Sequence, residues 1–182
     1  KRLPSSSRFV PLTSTLPTLA SSTTIKSLTL ASSALLTFTS GTLTLTGSLD
    51  ATGGVVGAGT LALTSATAAT VKGTLATSAQ VAGLYTVTGA LTANSLQLTN
   101  SASVDVNGQT VVITAGGIST ASTATITMTQ AAGILSATGN ASFGGGDETG
   151  KLTAGTLSVG GNFAEGGGHA SAFTAGPAFT LL

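Results

Sequence analysis

The side chains of this chain that could do chemistry are few and scattered. Asp147 and Glu148 lie in Gly145 to Lys151, GGDETGK, which fits G-x-x-x-x-G-K, the opening of a loop whose backbone N–H groups cradle phosphate. That chemistry also needs a Ser or Thr hydroxyl for Mg²⁺ and a helix N-terminus behind the loop, whereas Leu152 follows and the surroundings read as strand and turn. The two carboxylates could chelate Ca²⁺ together with backbone carbonyls, but the Asp spacing of the known calcium loops is missing, which favours a solvated turn. His169 is the single His, too little for a zinc triad or a Ser-His-Asp relay, and its Gly-rich setting favours an exposed, inert side chain. Asp50 and Asp105 fall in different repeats, so the paired carboxylates of glycosidase chemistry are not evident. The expectation is a protein that is not an enzyme, with no catalytic, cofactor-binding or metal-binding residue and no cofactor.

Composition narrows the class further. The 182 residues are 41% hydrophobic but only 6% charged, so the polar surface must be built from Thr, Ser, Asn and Gly. A net charge of +1, with Lys1, Arg2 and Arg8 taking half of the six basic residues, provides no basic face for nucleic acid. Cysteine is absent, which excludes disulfides and thiolate metal sites. Thr and Ser interrupt every apolar run before the roughly 18 residues a membrane helix needs, so no transmembrane segment is expected.

The elements that must position these residues emerge from Gly41 to Leu49, GTLTLTGSL. Leu43, Leu45 and Leu49 alternate with Thr, the two-residue period of a strand with one buried face, and Gly47 interrupts it as a bend would. Degenerate copies begin at Leu61, Tyr85, Val111, Leu135 and Leu157, with gaps of 18, 24, 26, 24 and 22 residues counted from Leu43. A short strand recurring at a period in the low twenties predicts an all-β fold, a right-handed parallel β-solenoid with coils of about 18–26 residues. Asn107-Gly108, between Val104-Asp-Val106 and Val111-Val-Ile113, is a good two-residue hairpin signal and supports the alternative, an antiparallel β-sandwich.

Aligning the copies predicts an inward apolar ladder of Leu45, Leu63, Val87, Ile113, Ala137 and Val159 beside an outward ladder of Thr46, Thr64, Thr88, Thr114 and Thr138. The column next to the Thr ladder is mixed, reading Thr44, Ala62, Thr86, Val112, Ser136 and Ser158, whereas an ice-binding face needs two adjacent Thr columns. Residues 1–24, with Pro4, Pro11 and Pro17, are expected to run extended as a linker or a docking strand, and residues 25–182 to form the solenoid. The chain starts at Lys1 and no cap is evident near Leu182, which reads as a piece of something longer or as an end where identical subunits meet.

VDVNGQTVVI (Val104 to Ile113) and GTLSVGGNF (Gly155 to Phe163) resemble coils of the long, low-charge parallel β-helices of secreted bacterial surface proteins, such as autotransporter passenger domains and filamentous-haemagglutinin-like adhesins. The resemblance spans roughly Ile25 to Phe163. It implies an extracellular or cell-surface location and a structural or adhesive role, and it carries no catalytic residues. The functional expectation is a self-assembling filament or sheath subunit or an adhesive stalk. Its partners would be identical subunits in a homopolymer, with surface glycans or other cells as further candidates. The alternatives are an ice-binding protein and a carbohydrate-active β-helix.

Overall fold

The computed structural model describes residues 8–10 and 18–182. Its strands all belong to one eighteen-stranded sheet, and every pairing is parallel. Six short strands come first: β1 (Arg8–Val10), β2 (Thr18–Leu19), β3 (Thr23–Ile25), β4 (Leu28–Leu30), β5 (Leu36–Phe38) and β6 (Thr42–Leu45). Three long ones follow, β7 (Leu49–Leu63), β8 (Ala69–Val81) and β9 (Leu84–Leu98), each running around one full coil. The remainder are β10 (Ser103–Asp105), β11 (Thr110–Ile113), β12 (Ile118–Ala121), β13 (Thr125–Thr127), β14 (Ile134–Ala137), β15 (Ala141–Gly144), β16 (Leu152–Val159), β17 (Phe163–Glu165) and β18 (Ala175–Leu181).

Stacking sorts these strands into a three-sided parallel β-solenoid of about eight coils. Each coil runs through side A, then side B, then side C. On side A, Leu28, Leu49, Val71 and Val87 succeed one another, beside a second column of Ala69, Tyr85, Val104 and Ile126. Side B stacks Leu36, Val55, Leu75, Ala93, Ile113, Ala137 and Val159. Side C stacks Ile25, Leu45, Leu63, Val81, Leu98, Thr120 and Phe143. Alternation turns these side chains inward, where all but Thr120 form or pack against one continuous apolar core. Burying a large aliphatic side chain there contributes roughly 1.5–3 kcal/mol.

The coils differ in how they turn corners. In β7 to β9 the ladder continues through the corners by register shifts, as between Ala51 and Val55. Gly57 lies at one such corner with φ 124°, and a Cβ there would run into the Phe38 carbonyl of the coil beneath. The coil is tight here, Ala69 pairing with Tyr85 only 16 residues on. Later coils leave the sheet at their corners and are longer, Val111 pairing with Leu135 at 24 residues. Asn107-Gly108 is such a corner, with φ 51° and 68°: the strands flanking it, β10 and β11, both pair in parallel with their neighbours in the stack, so it closes no hairpin and the antiparallel sandwich is excluded.

The strands also reach further toward the N-terminus than the expected start at Ile25. Strands β1, β2 and β3 pair with β4, β5 and β6 of the same chain. Pro4, Pro11 and Pro17 lie outside the described residues. Pro177 sits in β18 where that strand slips in register against Leu152 and Ala154, a place where a residue without an N–H does no harm.

Candidate functional site

Ser65 and Thr77 are buried early in the stack, and late in it further polar groups enter the interior at the corner between sides C and A. On side C the inward column passes from Leu98 to Thr120, which is buried, and its hydroxyl accepts the Gly145 N–H at 3.1 Å. The chain leaves β15 at Gly144, turns through Gly145 to Gly150, and enters β16 at Leu152. No helix follows the G-x-x-x-x-G-K match, so the geometry of a phosphate-cradling loop is not formed.

Glu148 lies inside this turn with 0% of its surface exposed, contrary to the expected solvated turn. The next coil does not pair with Ile126 at this point, its ladder resuming only at Met128 and Leu152, and the unpaired stretch carries Glu148 inward. Its Oε1 accepts the Ile126 N–H at 2.8 Å, its own N–H donates to the Ser171 carbonyl at 2.9 Å, and its carbonyl accepts the Lys151 N–H at 2.9 Å. Oε2 has no hydrogen-bond partner. Burial pushes the carboxyl up to about 7, outweighing the Ile126 hydrogen bond and the Lys151 charge that favour ionisation, while Asp147 nearby pushes it further up.

Asp147 next to it is exposed and behaves oppositely. Its Oδ1 accepts the Thr149 N–H at 2.8 Å, and hydrogen bonding from Thr149 holds the carboxyl below its ordinary range. The Lys151 ammonium donates to the Asp147 carbonyl oxygen. From the next coil come His169, exposed and accepting the Ser171 N–H on Nδ1 at 3.1 Å, and Glu165, whose Oε1 accepts the Phe173 N–H at 3.1 Å. Among the described residues no group of three or more His, Cys, Asp or Glu side chains could hold a metal ion. What the corner can do chemically is hold or release one proton in a dry place.

The predicted ladders are redistributed by the stack. All six predicted inward residues point into the core, Val159 only partly buried, yet they occupy three columns and not one. Leu45 and Leu63 are neighbours on side C, Val87 stacks on Val71 of side A, and Ile113, Ala137 and Val159 are neighbours on side B. The Thr positions are redistributed in the same way, because each directly follows its inward neighbour, four of them at a strand end and Thr88 inside β9. Thr46 and Thr64 follow side C, Thr88 side A, and Thr114 and Thr138 side B. The four at strand ends cap them. Thr64, Thr114 and Thr138 each send both backbone N–H and hydroxyl to one carbonyl of the coil beneath, those of Leu45, Ala93 and Ile113.

Two further features escape the sequence. Tyr85 is buried beneath side A, and its hydroxyl accepts the Ser65 N–H at 3.2 Å and donates to the Gly47 carbonyl at 3.1 Å, tying together three successive coils. Charge is also segregated. The outward positions of side B read Thr92, Val112, Ser136 and Ser158, and those of side C read Thr44, Ala62, Gln80, Gln97, Ser119 and Ser142, all uncharged. Side A instead carries Asp105 and the pair Asp50 and Lys72, whose ammonium and carboxylate are 3.0 Å apart. Neither family models, nor curated proteins, nor solved structures offer a match to this chain.

Proposed function

We propose that this chain is a non-catalytic structural rod that assembles side by side with copies of itself on the outside of a cell. The observation that carries this reading is the pairing of one continuous core, bound along its axis by parallel ladders on all three sides, with two lateral sides whose described strands carry a single charged residue, Glu165 at the last coil of side C. The axial ladders make the rod stiff. Sides B and C present short Thr, Ser, Ala and Val side chains and a few Gln, which a second copy can approach without desolvating charge. The sequence resemblance to secreted bacterial adhesins supports an extracellular setting, and an adhesive stalk is the nearest variant of the same role. The outward columns are too mixed to favour an ice-binding face.

Sedimentation velocity and electron microscopy across a range of protein concentrations test this reading. Assembly that grows with concentration, and that Thr92→Lys together with Gln97→Lys abolishes while the far-ultraviolet spectrum stays unchanged, is the expected result. A folded monomer at every concentration, or assembly indifferent to these charges, would overturn it.

A further inference from the structure

We propose that Glu148 is a proton-controlled clip across three successive coils: protonated, it lets the corner close over it, and deprotonated, it opens the turn from Gly144 to Lys151 and loosens the coil above. The geometry is that of a clip. The side chain holds the Ile126 N–H of the coil beneath, the backbone N–H holds the Ser171 carbonyl of the coil above, and the residue itself has no exposed surface. Its one unpartnered oxygen faces no donor.

A neutral carboxyl can sit in such a place at modest cost, whereas a carboxylate there lacks the hydrogen bonds or opposite charge that a buried ion needs. The raised affinity of this carboxyl for its proton is consistent with that. The charged groups around it are few. Its own turn carries Asp147 and Lys151, the coil above carries Glu165 and His169, and residues 121–127 of the coil beneath carry no charge. Lys151 turns its ammonium to the Asp147 carbonyl and makes no hydrogen bond to Glu148 with it. Glycines on both sides, Gly144 to Gly146 and Gly166 to Gly168, allow the turn and the segment above it to move. Phe143 directly precedes the turn, and Phe163 and Phe173 flank the segment above it in sequence; the three rings pack with centroids 4.8–5.8 Å apart, so an open corner is expected to loosen this aromatic cluster.

The test is a pH titration of the full chain by nuclear magnetic resonance. It follows the Glu148 carboxyl carbon and the amides of Ile126, Glu148 and Ala172. The expected result is one shared midpoint in the neutral range for all four signals, and amides that no longer titrate in Glu148→Gln. His169→Asn, at the exposed imidazole of the coil above, is the control and should leave the titration in place. Asp147→Asn should move the midpoint down, since a neighbouring negative charge is lost. A Glu148 carboxyl that titrates as an ordinary glutamate, amide titrations that survive Glu148→Gln, or titrations that vanish with His169→Asn would each overturn the proposal. If Glu148→Gln does not fold, the carboxyl midpoint of the unaltered chain decides.

Discussion

Replacing Tyr85 by Phe removes one oxygen atom and leaves the ring in place, so it isolates the bond that links three coils. The hydroxyl lies in the interior, accepts the Ser65 N–H at 3.2 Å, and donates to the Gly47 carbonyl at 3.1 Å. Burial pushes this phenol above its ordinary range even though the backbone N–H bond favours its ionisation, so it is the neutral hydroxyl that does the linking. Losing a neutral hydrogen bond costs about 1 kcal/mol, and leaving the Ser65 N–H buried without a partner adds about 1–2 kcal/mol, giving about 2–3 kcal/mol in all. For a chain of this size that corresponds to a fall in Tm of about 4–12 °C. Urea unfolding followed by circular dichroism measures it, with an unchanged m-value showing that the folded and unfolded ensembles are the same. A loss below about 0.5 kcal/mol would mean that the two partners are satisfied without the hydroxyl, and would refute the three-coil link.

Three other perturbations probe separate parts of the structure. Gly57→Ala should cost about 3 kcal/mol or more, since φ is 124° and the new Cβ meets the Phe38 carbonyl; thermal unfolding reads it, and a loss under about 1 kcal/mol would contradict the tight corner. Glu148 has its folded-state pKa raised from 4.5 to about 7, so the stability it contributes is complete below about 4.5 and is lost as pH rises through about 7. The shift corresponds to a decline of up to about 3 kcal/mol between pH 4 and pH 9, which urea titrations at several pH values should show in the parent chain and not in Glu148→Gln. Asp50→Asn breaks the pair with Lys72, whose partners are 39% and 31% exposed, and should cost no more than about 0.5 kcal/mol, vanishing in high salt.

Alternation was the part of the fold most easily read. Leu43-x-Leu45 and Val111-x-Ile113 announce strands with one buried face, and the spacings from Leu43 to Leu61 and from Val111 to Leu135 to Leu157 are true coil steps. The steps between them are not. Leu61 stacks on Ala79 of side C, whereas Tyr85 belongs to side A, and Val111 stacks on Leu91 of side B. The cause is physical: all three sides need the same inward and outward alternation, so an L-x-L motif marks a strand without saying which side it forms. Coil length was also hidden, because β7 to β9 turn their corners inside the ladder with glycines and no loop.

The corner at Glu148 was not legible in the sequence. Charge and neighbouring glycines describe a surface turn, and in Asp147 they describe it correctly. The step of 22 residues from Val104 to Ile126 becomes 24 from Met128 to Leu152, so no fixed coil length places Glu148 inside. Tyr85 was hidden for a related reason. Its partners Ser65 and Gly47 become neighbours only when successive coils are set in register.

Electron cryo-microscopy of the native material is the decisive test of the proposal that this chain is a rod that packs against its own copies. Arrays of parallel rods with a spacing of about 4.8 Å along each axis and with sides B and C in contact are the expected result. Rods that stand singly, or that meet through the charged side A, would contradict it.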